Sequence, residues 1–217
     1  GQAQWLDVVL EELTGIGRAS WRRHPEIPEQ TTHALAEYRQ TLRPSRVLVD
    51  DAGDPLLLVW TAPAGHDLDR RETESGTWRA SPSTKLERLM REVDVPLGLA
   101  TNGHQCRLMF AGEGVTPHIT WAATDWMDDP QSLDAFAMLL GRERFFGDEK
   151  ARLLALVEES QERQLAVTDQ LGDQVRAALD QFVRAVGHAD QAAEGAILAG
   201  MPFEAIYEMA LVFMMRL

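Results

Sequence analysis

The sequence predicts an α+β fold: a mixed α/β domain over residues 1–128, followed by a helical connector over 129–217. Three observations carry this expectation. Leu56–Trp60 is a continuous apolar run of strand length, the pattern of a strand buried on both faces. Asn102-Gly103 sits between two β-rich runs, a strong hairpin signal. From Glu149 to Val186 there is no proline, and Thr168, Leu171, Val175, Ala178, Phe182 and Val186 recur at steps of three and four.

Each element follows from local pattern. Trp5, Leu6, Val8, Val9, Leu10 and Leu13 mark one side of a first helix, which Gly15 and Gly17 end. The segment HPEIPEQ, with two prolines, predicts a loop. TTHALAEYRQTL then predicts a short helix through Leu42, capped by Thr31 or Thr32. Arg46–Asp51 and Leu56–Trp60 predict two strands joined by a turn at Gly53 and Pro55. A long polar loop follows from residue 63. Ser81-Pro82 opens a helix whose stripe is Leu86, Leu89 and Met90. Strands are expected on both sides of Asn102-Gly103 and over HITWAATDW. Beyond Pro130 the pattern is helical, with Ser132 as the expected cap, and Gly172 is the one position where the long helix could break.

Composition excludes several classes. The net charge of −13 disfavours a stand-alone nucleic-acid binder, because phosphate neutralisation supplies most non-specific affinity. A local basic face is still available in Arg18, Arg22, Arg23, Arg43 and Arg46. No apolar stretch is long enough to span a membrane, and no signal peptide is legible. The single cysteine, Cys106, allows no disulfide and no cysteine-based zinc site, and a reducing cytoplasmic setting is the natural expectation. Its place in an apolar run predicts a buried thiol. The six histidines form no HxH or HxxxH pair. No phosphate-binding loop, dinucleotide fingerprint or nucleophile elbow is present.

The stretch RPSRVLVDDAGDPLLLVWTAP has the spacing of a metal-dependent nuclease core, in which Pro-Asp opens one strand and Glu-x-Lys closes the next. Here the Asp place holds Ser45, the Glu place Trp60 and the Lys place Ala62. Carboxylates are needed to hold Mg²⁺, and a lysine to position or activate the attacking water. None of the three supplies such a group. Asp50, Asp51 and Asp54 read as turn formers. No metal or cofactor site is expected in this segment.

Several separated segments then agree, in order, with one family. LERLMREVDVPLGLATNGHQCRLMF, FAMLLGRERFF, LVEESQERQLAVTDQLGDQVRAALDQFVRA and IYEMALVFMMRL resemble the N-terminal region of large single-chain, S-adenosylmethionine-dependent DNA adenine methyltransferases of fused restriction–modification and phage-defence systems such as DISARM and BREX. The resemblance implies a degenerate PD-(D/E)xK nuclease-like domain and a helical connector. It also implies a methyltransferase domain after Leu217 that holds S-adenosylmethionine, weak contact with DNA through this segment, and other defence-system proteins as partners. The apolar run that ends at Leu217 agrees with a continuing polypeptide or with burial by another chain. Two alternatives stand beside this reading. One is an active nuclease with a migrated site using Glu11 or Glu12, Asp50 and Asp54. The other is an interaction module whose acidic surface takes a basic partner.

Overall fold

The computed structural model describes residues 1–72, 78–112, 116–196 and 198–214. The chain divides into two compact units, Gly1–Leu156 and Val157–Leu217.

The first unit is α+β. Helix α1 (Gln2–Asp7) continues as a wider π-helical segment, Val8–Leu13, which buries Val9 and Leu10 beside Leu6. Gly15, at φ 66°, ends it in the left-handed region that only glycine occupies without strain. A six-stranded sheet follows, in the order β1 (Trp21–Arg23), β4 (Arg46–Val49), β5 (Pro55–Thr61), β6 (Leu97–Thr101), β7 (Gln105–Phe110) and β8 (His118–Ala122). Strands β5 and β6 are parallel and every other pair is antiparallel. A parallel pair needs a long crossover, and helix α2 (Pro82–Glu92) supplies it, packing on β5 and β6.

The capping of α2 is the one expected. Ser81 Oγ accepts from Thr84 N at 3.2 Å and Pro82 takes the first turn. Leu86, Leu89 and Met90 are fully buried, each contributing about 1.5–3 kcal/mol of apolar burial. They form one core with Val47, Val49, Leu58, Ala100 and Met109 of the sheet. Arg46 alternates with Val47 and so takes the opposite face, where Asp7 of α1 meets it at 2.7 Å. Helices on both faces explain why Leu57, Leu58 and Val59 are all buried.

The helix expected over residues 31–42 is not formed. The segment folds as a separate hairpin, β2 (His33–Leu35) with β3 (Gln40–Leu42), around a single 3₁₀ turn at Ala36–Tyr38. Leu35 and Leu42 lie seven apart, as on a helix face, yet both enter the α2-side core from paired strands. Burial there outweighs the weak helical propensity of a threonine-containing segment.

Helix α3 (Pro130–Leu140) is capped by Asp129, whose Oδ1 accepts from Ser132 N at 3.3 Å, and not by Ser132. Its Phe136 meets Trp121 edge-on at 5.3 Å and Trp126 at 5.0 Å, and Trp126 stacks with Trp5 at 6.3 Å. This aromatic cluster ties α3 to β8 and α1. The first compact unit accordingly extends through Leu156. Helix α4 (Glu143–Phe146) also belongs to the first unit, where Arg142 N donates to Thr14 O.

Helix α5 (Leu153–Ala192) runs unbroken through Gly172 and leads into the second unit, which ends in α6 (Phe203–Met214). Among the described residues of that unit Leu179 and Ile206 are buried, whereas Leu165, Val167, Leu171 and Val175 are exposed. The middle of the expected polar loop, residues 73–77, and the apolar end, residues 215–217, lie outside the described residues. Among the described residues no helix is long and apolar enough to cross a membrane.

Candidate functional site

Strands β4 and β5 bring the three nuclease-like positions to one end of the sheet. Arg46 pairs with Val59, so Ser45 lies beside Trp60. Ser45 N and Oγ both donate to Val59 O, at 2.7 and 2.9 Å. Ser45 Oγ also lies 2.8 Å from Thr61 Oγ1, which is then the donor. Ala62 is 1% exposed; its N–H donates to Thr101 O and its carbonyl accepts from Gln2 Nε2 at 2.9 Å. Trp60 packs half-buried on the α2-side core. The polar atoms of Ser45, Thr61 and Ala62 named here are closed on one another or on neighbouring backbone. Neutral hydroxyls, an indole and a methyl do not fit a hydrated divalent cation.

The acidic residues considered for a migrated site are dispersed. Glu11 pairs with Arg23 at 2.7 Å. Asp50 Oδ1 accepts from Ala52 N and Asp54 N at 2.9 and 2.8 Å, closing the β4–β5 turn at the opposite end of the strands from Ser45. Among the described residues no cluster of three or more His, Cys, Asp or Glu side chains could hold a metal ion.

The five arginines separate into two groups. Arg46 is 7% exposed and paired with Asp7, and burial pulls its pKa below the ordinary guanidinium value. Arg23 lies between Asp7 and Glu11. Both stabilise the contact of α1 with the sheet. Arg18, Arg22 and His24 line a cleft of about 390 Å³ together with Arg23 and Pro25. Arg22 also donates to Ala19 O at 2.6 Å. Arg43 is exposed and lines a neighbouring cleft of about 550 Å³ that shares Pro25. Glu26 in the first cleft and Glu29 in the second lie among these arginines, so the surface is of mixed charge.

A second polar assembly joins residues far apart in the chain. Arg107, on β7, grips Asp69 with two hydrogen bonds, donates to Ser83 Oγ at 3.0 Å and donates through Nε to Thr120 Oγ1 at 2.9 Å. The arginine holds the Asp69 carboxyl below its usual range. Lys85, 1% exposed, pairs with Glu72 at 2.5 Å. These contacts strap residues 65–72 over the carboxyl ends of β5 and β6, beside a cleft of about 480 Å³ that also includes Asn102 and His104. Partners 38 residues apart leave no local pattern. Lys85 alone carried a signal: it precedes Leu89 by four and so shares the buried face of α2.

Asn102-Gly103 makes the expected turn, though only Gly103 has positive φ, 83°. Asn102 instead accepts from the N–H groups of His104 and Gln105 through Oδ1. Cys106 is buried, as expected, with Sγ 3.6 Å from Thr101 Oγ1 and no contact to the exposed His104. Burial pushes its pKa up to about 12. The thiolate is the reactive form, so native protein at pH 8 should fail to react with a disulfide thiol reagent and should titrate one thiol after denaturation. Rapid native labelling would contradict this burial.

No family model, no curated protein and no solved structure matches the chain.

Proposed function

We propose that this chain is the non-catalytic N-terminal module of a site-specific DNA adenine-N6 methyltransferase of a bacterial phage-defence or restriction–modification system. In this reading the first unit is a degenerate PD-(D/E)xK nuclease-like domain and α5 begins the connector. The methyl donor, S-adenosylmethionine, is held by another domain of the parent protein. Other defence-system proteins are its partners in the cytoplasm.

One observation carries most weight. Ser45, Trp60 and Ala62 stand together at one sheet end, where the family-like spacing puts the nuclease groups, and that end is closed by neutral hydrogen bonds. A scaffold retained without its chemistry accounts for both facts. Arg18, Arg22 and Arg43 supply a modest surface for duplex phosphates, in keeping with the acidic chain.

The protein should leave plasmid DNA intact with Mg²⁺ or Mn²⁺ and should bind duplex weakly, with affinity falling as salt rises. Replacing Arg18 and Arg22 together by alanine should weaken that binding and flatten its salt slope. Robust cleavage abolished by Asp50→Ala would instead establish the migrated-site nuclease. The exposed run Leu165, Val167, Leu171 and Val175 favours a second role, contact with a partner protein along α5.

A further inference from the structure

We infer that the stacked Tyr38–Trp78 pair, flanked by Arg39 and Arg79, is a binding platform for an unpaired nucleobase of single-stranded DNA. This extends the proposed DNA contact from duplex to unpaired strand, at a different place on the first unit. The two rings lie 5.6 Å apart and 23° from parallel, an offset stack. Trp78 packs inward on the α2-side core, and its backbone N–H donates to Gln40 Oε1 at 3.4 Å. Tyr38, at the tip of the β2–β3 hairpin, remains 36% exposed. An aromatic ring seated on a second ring that is itself seated on the core is already ordered, so a base can stack on it at little entropic cost.

An arginine adjoins each ring in the chain, and the exposed Glu37 precedes Tyr38. Arg39 follows Tyr38 and Arg79 follows Trp78. Both are exposed, and neither pairs with a carboxylate among the described residues. Arg39 takes φ 49°, a left-handed conformation uncommon for an arginine, which turns the chain at the mouth of β3. Arg43 lies at the far end of β3, about 13 Å along the strand at about 3.3 Å per residue. An aromatic surface edged by guanidinium groups is the chemistry by which single strands are held irrespective of sequence.

Fluorescence anisotropy with a labelled oligothymidylate of about 12 nucleotides, within the length such sites cover, tests the platform against a duplex of equal length. The protein should prefer the single strand. Tyr38→Ala should weaken that binding by about 5- to 100-fold, Tyr38→Phe should retain it, and the pair Arg39→Ala and Arg79→Ala should weaken it with a shallower salt slope. Circular dichroism of the Tyr38 variants, altered only at an exposed ring, reports whether the fold is intact. Wild-type-like binding by Tyr38→Ala, equal loss in Tyr38→Phe, or no single-strand binding by the wild type would overturn the proposal. Duplex binding untouched by the Arg18→Ala and Arg22→Ala changes would sink the duplex reading alone and leave a Tyr38-dependent single-strand site standing.

Discussion

Replacing Gly98 by alanine is expected to lower the melting temperature by roughly 5–10 °C, an overpacking cost of about 2–3 kcal/mol. Gly98 sits on β6 directly beneath α2. A Cβ there would stand 2.4 Å from Met90 Sδ and 3.0 Å from Leu86 Cδ2, and both side chains are fully buried. Neither can move aside without disturbing the core they share with Val47, Leu58 and Met109. The missing side chain is thus what allows the crossover helix to approach the parallel strand pair. Thermal unfolding of Gly98→Ala, Met90→Ala and the double variant checks the cause. The double variant should cost less than the sum of the two, because the new methyl fills space that the methionine vacates. Strict additivity would show that the contact is not the source of the loss.

Asp7→Ala should be the more damaging change at the junction of α1 with the sheet, costing about 2–3 kcal/mol, while Arg46→Met should cost less than about 1.5 kcal/mol. Asp7 lies 2.7 Å from Arg46 and 3.4 Å from Arg23, and Arg46 is almost wholly buried. Removing the carboxylate leaves a guanidinium in a site whose burial already disfavours its charge, with Arg23 repelling it. Removing the guanidinium leaves the buried Asp7 Oδ1 still 3.4 Å from Arg23 Nη1, on a side chain that is a third exposed. Denaturant unfolding of both variants and of the pair decides the matter. An Asp7→Ala loss no larger than that of Arg46→Met would show that the ion pair does not set the stability of this junction.

These residues also show what was readable in advance. The pairing of β4 with β5, the Ser81-Pro82 start of α2, the β6–β7 hairpin and the buried Cys106 all followed from patterns a few residues long. Such patterns act through neighbours in the chain, where turn geometry and alternation decide the outcome. The hairpin at His33–Leu42 did not follow. Its apolar spacing suits a helix as well as two short strands, and the choice rests on a core formed by distant residues. At the start of α3, Asp129 and Ser132 are both good caps, and the position of Pro130 at the first turn selects Asp129. Phe136 likewise has its partners outside its own helix, at Trp121 and Trp126.

The candidate site divides along the same line. Residue identity alone shows that Ser45, Trp60 and Ala62 supply neither the carboxylates nor the lysine of the nuclease pattern, because side-chain chemistry belongs to the residue wherever it is placed. Identity could not decide which arginines face solvent. Arg46 and Arg18 look alike in the sequence, yet the alternation of β4 turns Arg46 inward to Asp7, while Arg18 lies in a surface cleft. Nor could it bring together Tyr38 and Trp78, or Asp69 and Arg107, which lie far apart in the chain and meet only after the sheet and α2 have formed. Local chemistry was therefore determined by the sequence, and the pairing of distant groups by the tertiary structure. Burial and long-range contact carry the free energy that selects among the arrangements short-range propensity leaves open.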